Sequence, residues 1–513
     1  MDYLLSGLAV LLTYWTGLVI YRLYLSPLAH LPGPRLAAAT SWYHTYHDLV
    51  RGGQYVFVIE EMHRKYGPIV RVRPDTVHVS DPRFIEKLYT QSPKQRRERY
   101  YTILQLLQAP GSILATNDHD AHRQRRAVLN PYFSQQNVRR LEPLINDVLA
   151  NLLRRYEGWA AEGATVQMNT VFRAATKDII QAYALGEGQK LLDKEDCDAA
   201  FFDVMTPQRI SYLGTHFYWL ALMLARMPPA IMIRLVPRIA VFIHFMEDLT
   251  AKIETIRSAK EHPEGKTIFH EIMRSKDLPP SEKETQRLAD EAMVILIAGS
   301  ETTASTLTAI MYHMLSDRKM LDRLKSELRT VMSDSESSIP SAANIDNLPY
   351  LNAIIQEAIR LYPGASHRQD RCAPDEDLTY VNHATGQRYV IPAGTGVGMT
   401  APITNRDRTI YGATADEFIP DRYLEDPKLR KWQFSFSKGT RQCIGMNLAY
   451  QELQTLIAGI FHKYDLYDPT KEKQSGPTLE LYKTEKRDIA MYADYMTPAP
   501  PPGSQGLRVV IRH

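Results

Sequence analysis

A mainly α-helical body with minor β-sheets, preceded by a single N-terminal transmembrane helix, is the architecture this sequence predicts. Three observations lead there. Tyr3 to Tyr21 carries no charged residue. Long stretches, such as Leu141 to Tyr156 and Asp290 to Leu315, repeat apolar residues at helical spacing. Runs of β character are few and short: Ile69 to Val72 with Val77 to Val79 near the start, and Arg388 to Ile391 later. Composition agrees. Of 513 residues, 44% are hydrophobic and 23% charged, which argues against collagen-like, coiled-coil and wholly disordered chains. Lys+Arg 61 against Asp+Glu 58 leaves a formal charge of +3, too small an excess to point to nucleic acid as the partner. Cys197, Cys372 and Cys443 are far apart and form no CxxC pair, so a disulfide scaffold is disfavoured and a reducing compartment favoured.

The first element is the span. At a rise of ~1.5 Å per residue, Tyr3 to Tyr21 covers roughly 28 Å, close to the hydrocarbon thickness of a bilayer. A cleaved signal peptide would start basic and end at small residues. Here Asp2 comes first, and Arg22 and Arg35 follow the apolar run. Positive residues on the C-terminal side place that side in the cytoplasm. Ser26-Pro27 and Leu31-Pro32-Gly33-Pro34 then end the helix as a stiff connector. The expected division is an anchor over 1–25, a Pro/Gly-rich hinge over 26–37 and one large domain over 38–513. Phe217 to Met246 is apolar enough to suggest a second span, but Arg226, Pro228-Pro229, Arg234 and Pro237-Arg238 interrupt it. Two readings stand: a surface dipping into the bilayer interface, or a buried helix pair.

Three segments carry chemistry. In Phe436-Ser437-Lys438-Gly439-Thr440-Arg441-Gln442-Cys443-Ile444-Gly445, a cysteine on a glycine-flanked loop precedes a helical run, where backbone N–H groups favour a thiolate. A metal ligand, a nucleophile and a structural cysteine are all compatible with it. In Ala298-Gly299-Ser300-Glu301-Thr302-Thr303, an acid and a hydroxyl sit in the middle of an apolar helix, beside a glycine costing about 1 kcal/mol against alanine. A site and a bland alternative, Thr302 bonding back one turn with Glu301 facing water, weigh equally here. Glu357 and Arg360 are three apart on one helical face, a weak signal alone. A zinc hydrolase built on His44/His47 or His119/His122 is disfavoured, because no HExxH-type helix supports it.

Together these segments resemble the cytochrome P450 superfamily of haem-thiolate monooxygenases. FxxGxRxCxG is met at Phe436, Gly439, Arg441, Cys443 and Gly445. [A/G]Gx[D/E]T[T/S] is met from Ala298 to Thr303, and ExxR by Glu357 and Arg360. Pro420-Asp421-Arg422-Tyr423 is similar to the family's PxRF segment. His122 to Arg126 is similar to its WxxxR, with histidine in place of tryptophan. The anchor and Pro/Gly hinge are those of microsomal members, so the resemblance covers essentially the whole chain. It implies the cytochrome P450 fold and haem b as cofactor.

By that resemblance Cys443 is the axial ligand of the haem iron, in the loop shaped by Phe436 and Gly439. Arg441, Arg126, His122 and Arg371 would meet the haem propionates. Glu301 and Thr302 would manage protons on the distal side. Glu357, Arg360 and Arg422 would form a buried scaffolding network. Electrons would come from NADPH–cytochrome P450 reductase, docking on basic residues such as Arg123, Arg125 and Lys438. Segments such as Lys65-Tyr66-Gly67-Pro68 are similar to filamentous-fungal members of secondary metabolism, nearest the trichodiene-oxygenase-like group. That implies a hydrophobic small-molecule substrate (a terpenoid, polyketide or alkaloid) and residence in the endoplasmic reticulum membrane. Hydroxylation or epoxidation is the expected reaction; rearrangement, desaturation or dehydration without net oxygen insertion is the alternative.

Overall fold

The structure is a computed structural model and describes residues 2–107, 109–206, 209–262, 267–332 and 341–512. The outer limits of the expected division, residues 1 and 513, lie outside these. Helix α1 (Asp2–Ile20) buries no residue and runs on as a wider turn to Leu25. Together, Asp2–Leu25 is apolar and long enough to cross a membrane. Ser26 turns extended, with ψ of 141°, and the chain leaves the helix there. The connector is tied down at once. Arg22 donates to the Ala39 carbonyl at 2.8 Å, Arg71 donates to the Arg22 carbonyl at 2.7 Å, and Pro32 accepts from the Arg71 N–H at 2.7 Å.

Among the described residues the body is helical around two small sheets and two hairpins. Its main sheet uses β1 (Ile69–Arg73), β2 (Thr76–Val79), β3 (Glu98–Arg99) and β4 (Arg371–Cys372). It is completed by β7 (Gly396–Gly398), in the order β1-β2-β7-β4-β3. Strands β5 (Leu378–Val381) and β6 (Arg388–Ile391) form a separate hairpin. The β3–β4 register sets Arg99 opposite Arg371.

The helices that position the site are, in chain order, α2 (Trp42–Thr45), α3 (Tyr101–Leu107), α4 (His119–Leu129) and α5 (Met168–Leu185). They continue with α6 (Leu213–His216), α7 (Tyr218–Ala225), α8 (Pro229–Leu235) and α9 (Ile239–Arg257). The last three are α10 (Thr285–Ser316), α11 (Pro349–Leu361) and α12 (Met446–Lys463). At 32 residues α10 is also long and apolar enough to span a bilayer, but most of its apolar stretch is buried inside the protein, so it is the core helix. Gly299 explains itself here. A Cβ at that position would stand 2.7 Å from the Ile180 side chain, so glycine lets α5 and α10 approach. The 217–246 stretch breaks into α7, α8 and the start of α9 around its prolines, and Trp219, Met223, Ile231, Leu235 and Val236 are exposed. Exposed apolar side chains on consecutive helices favour the interfacial reading over a buried pair.

Candidate active site

The cysteine loop is closed by its own backbone. The Cys443 N–H donates to the Phe436 carbonyl at 2.9 Å, and the Phe436 ring packs on Tyr450 with centroids 5.6 Å apart. Gly439 has φ of +77°, and a Cβ there would stand 2.5 and 2.6 Å from the Tyr89 and Thr90 carbonyl oxygens, so no other residue fits without displacing that backbone. The Cys443 side chain is accessible although protein surrounds it, so it faces an internal cavity. Burial pushes its thiol upward, against the opposing pull of the Gly445 N–H and Arg126. The start of α12 therefore does not make a thiolate unaided; that takes ligation to a metal.

Around this cavity stands a cluster of arginines that repel one another. Arg99 is enclosed, its Nε has no hydrogen-bond partner among the described residues, and the charged groups acting on it most strongly after burial are Arg371, Arg441 and Arg126. Burial and the same four guanidiniums push His122 down to about 2, so its imidazole is neutral. Like charges opposed across an antiparallel pair, as Arg99 and Arg371 are, destabilise a sheet unless an anion lies between them. Arg371 is buried over the Tyr89 ring, and Arg126 donates to the Gln442 carbonyl at 2.6 Å. Arg441 is held at about 9 by burial and the neighbouring Arg371, and most of its donors go to main-chain carbonyls: Arg97 at 3.1 Å, Thr116 at 2.6 Å and Asn117 at 2.6 Å. Its larger task is to staple the loop before α4. The donor set fits a flat dianionic group ligated by Cys443, as a haem is. Sequence reasoning missed Arg99, because its place in Gln95-Arg96-Arg97-Glu98-Arg99 looks like a solvated charge run; only the strand register reveals it.

On α10, Ala298 and Thr302 are accessible in the middle of an otherwise buried helix, one turn apart on one face. The Thr302 hydroxyl donates back to the Ala298 carbonyl at 3.0 Å. A Cβ on Gly364 would stand 2.7 Å from the Thr302 Cβ, so the segment from Gly364 to Arg371 runs from Thr302 to the arginine cluster. Glu301 pairs with Arg173 of α5 at 2.6 Å. Behind them Glu452 of α12 is fully buried, and burial pushes its carboxyl well above the usual range, against a stabilising contact from Thr303. A buried carboxyl in a helix interior had no signal in the sequence.

The cytochrome P450 family model matches residues 34–489. The chain belongs to the cytochrome P450 family. Among curated relatives, the cytochrome P450 monooxygenase tpcC of Cochliobolus heterostrophus is 36% identical over 99% of this chain and 97% of its own length. The cytochrome P450 monooxygenase sdnE of Sordaria araneosa is 36% identical over 99% and 98%. Stellatic acid synthase of Emericella variicolor is 33% identical over 98% and 94%. The chain is thus a P450 monooxygenase of the fungal secondary-metabolism type, with the P450 fold and a haem cofactor.

In this P450, α11 carries Glu357 and Arg360 with no side-chain exposure at either. Arg360 grips Glu357 through two bonds, Nε to Oε2 at 2.7 Å and Nη2 to Oε1 at 2.8 Å; Arg422 Nε adds a third at 3.0 Å and the Ile419 N–H a fourth at 2.8 Å. Arg360 Nη1 and Nη2 also serve the Asn405 and Glu417 carbonyls at 2.9 and 3.0 Å. The ExxR pair thus fastens α11 to the chain leading into the cysteine loop. Of the basic residues expected to meet a reductase, Arg123 is exposed, while Lys438 is half-buried. Arg125 is withdrawn into a pair with Glu282 at 2.7 Å because that carboxylate projects from the turn before α10, so it does not belong to a docking face.

Proposed function

We propose that this P450 hydroxylates or epoxidises a hydrophobic natural-product intermediate, of terpenoid, polyketide or alkaloid type. O2 is the oxidant, and NADPH–cytochrome P450 reductase supplies the electrons. The cofactor is haem b, with Cys443 as iron ligand and Arg99, Arg126, Arg371, Arg441 and His122 around its propionates. The protein is divided as anchor 1–25, hinge 26–37 and catalytic domain 38–513, and the anchor holds it in the endoplasmic reticulum membrane with the catalytic domain in the cytoplasm.

Bound there, a thiolate-ligated haem supplies dioxygen activation and transfer of one oxygen atom. The chain supplies the rest. The guanidiniums of Arg99, Arg126, Arg371 and Arg441 would neutralise the haem propionates. Thr302 presents a hydroxyl to the distal side, and its proton relay runs through Glu301, which reaches it by leaving Arg173. The exposed apolar side chains of α7 and α8, together with an N-terminal helix apolar enough to cross a membrane, support a substrate arriving from lipid. A relative named for making stellatic acid supports a small organic substrate.

One observation carries the reading: an accessible Cys443 sulfur inside the protein, beside arginines that repel one another and together hold His122 neutral. The purified protein should give the spectrum of a thiolate-ligated haem when reduced under CO. Incubation with reductase, NADPH and pathway extracts should then add one oxygen mass to a substrate. A product of unchanged mass would support rearrangement instead, and loss of hydrogen or water would support desaturation or dehydration.

A further inference from the structure

Asp48 lies 2% exposed directly after α2, and its Oδ2 accepts from two imidazoles, His44 Nε2 at 2.6 Å and His216 Nε2 at 3.0 Å. His216 ends α6, and its Nδ1 lies 3.0 Å from the Thr45 hydroxyl. The His44 and His216 rings meet edge to face at 4.5 Å, and His44 lies on Tyr55 at 4.4 Å. Four residues before His216, the Tyr212 hydroxyl is 3.1 Å from His367 Nδ1, which in turn lies 3.2 Å from Asp494 Oδ2. A short segment, Tyr212 to His216, is thus pinned at both ends by buried polar groups.

What this segment covers follows from its neighbours. Tyr212 packs with Ile103 and Leu106 of α3, flanked by Tyr495 and Met496. His367 belongs to the Gly364–Arg371 segment, which touches Thr302 at one end and the arginine cluster at the other. On its outer side the chain continues into Phe217, whose ring meets Trp42 at 5.8 Å, and then into the exposed apolar helices α7 and α8. The pinned segment thus joins the exposed apolar helices α7 and α8 to α3 and to the His367 segment that begins against Thr302.

A metal at this cluster is disfavoured. Three ligand atoms do lie within 4.8 Å of one another. Yet Arg368 Nη2 is 3.3 Å from His44 Nε2, so a guanidinium stands where a cation would bind, and Arg73 Nη1, 3.4 Å from His44 Nδ1, adds a second positive charge to the same ring. The two arginines have their own acids, Asp370 at 3.8 Å and Asp75 at 3.3 Å.

We propose that Asp48 is a positioning residue, the centre of a polar latch that holds Tyr212–His216 shut over the distal pocket and sets how fast bulky apolar molecules enter and leave. A joint made of apolar contacts loses its stabilisation steadily when it opens. A joint made of buried polar groups regains hydration when it opens, so its closed and open forms lie close in energy and one hydrogen bond decides between them. The inference rests on haem occupying the pocket, because the pocket it guards is the one that Cys443 faces.

Full-length, haem-loaded protein in lipid nanodiscs tests it, by stopped-flow mixing with phenylimidazole and, separately, with CO. Asp48→Asn should raise both the association and dissociation rates of phenylimidazole by about ten-fold, a size common among residues sharing one hydrogen-bond network. CO, which is small, should bind at an unchanged rate. Tyr212→Phe removes one hydroxyl from the same segment and should act in the same direction even if Asp48→Asn accumulates poorly. Unchanged phenylimidazole rates in haem-loaded variants would overturn the latch alone. One equivalent of zinc in the wild-type protein, lost in Asp48→Asn, would overturn it in favour of a metal site. A protein that takes up no haem would overturn the underlying reading instead, and that outcome is visible in the spectrum before any mixing.

Discussion

Arg173 of α5 donates to Glu301 of α10 at 2.6 Å, and each side chain is about four-fifths buried. The carboxylate next to Thr302 is therefore clamped to a neighbouring helix and does not face open water. To relay a proton it has to leave that guanidinium, so the ion pair and the relay compete for one side chain. Glu301→Gln should lower product formation on the order of a hundred-fold while haem loading stays intact. Arg173→Gln, which leaves the carboxyl in place, should lower it far less. Turnover with a solvent isotope comparison checks this. Equal losses in the two variants would mean that the pair serves only to join α5 to α10.

Thr302→Ala separates the hydroxyl from its packing. Alanine keeps the Cβ against which Gly364 fits, and removes only an oxygen that donates back to Ala298. Folding and haem content should not change. NADPH consumption should persist while product per NADPH falls and peroxide appears. Stoichiometry of NADPH, product and peroxide measures it, and unchanged coupling would remove Thr302 from the proton path.

The sequence made the helical body legible because long apolar periodicity survives any tertiary arrangement, as in α10 and α12. The cysteine loop was legible because Gly439 and the loop closure are local demands of a ten-residue segment. Arg99 was not, because its role depends on facing Arg371 across strands 272 residues apart in number, from 99 to 371. The partners of Glu301 and Asp48 were hidden for the same reason: Arg173 and His216 come from distant helices. The expectation that the start of α12 would lower the Cys443 thiol failed because burial outweighs a helix N-terminus.

Glu357 accepts from Arg360, Arg422 and the Ile419 N–H at once, with no exposure. Glu357→Gln leaves two buried guanidiniums without their counter-charge, which costs ~3–5 kcal/mol. Haem-containing protein should be nearly absent on expression. Arg360→Lys should do almost the same, since a lysine cannot make the two-point contact. Soret absorbance per milligram of soluble protein reads both.

Arg99→Gln should change stability with opposite signs in the two forms of the protein. Without haem, the charges acting most strongly on Arg99 are repulsive, from Arg371, Arg441 and Arg126, so the variant should melt at a higher temperature. With haem, it has lost a partner for a propionate, so haem should transfer faster to an acceptor such as apomyoglobin. Melting of the haem-free form and the haem-transfer rate test the two halves separately. The same sign in both would mean that Arg99 does not face the propionates.

His122 yields a pH prediction through the same cluster. Its folded value is about 2 against an ordinary 6.5, because burial and the surrounding guanidiniums hold the imidazole neutral. Between those values the unfolded chain binds a proton that the folded chain refuses. Folding stability therefore falls as pH drops below 6.5, and the loss continues toward pH 2. In the haem-free protein, His122→Phe removes that proton and keeps a ring of similar bulk, so the acid-side loss should become shallower. Urea midpoints from about pH 7 down to about pH 4, wild type against variant, isolate the imidazole from the carboxylates common to both. Haem should shrink the difference between them, because propionates offset the arginines that depress His122. Parallel pH profiles for the two haem-free proteins would show that the imidazole is not held neutral by this cluster.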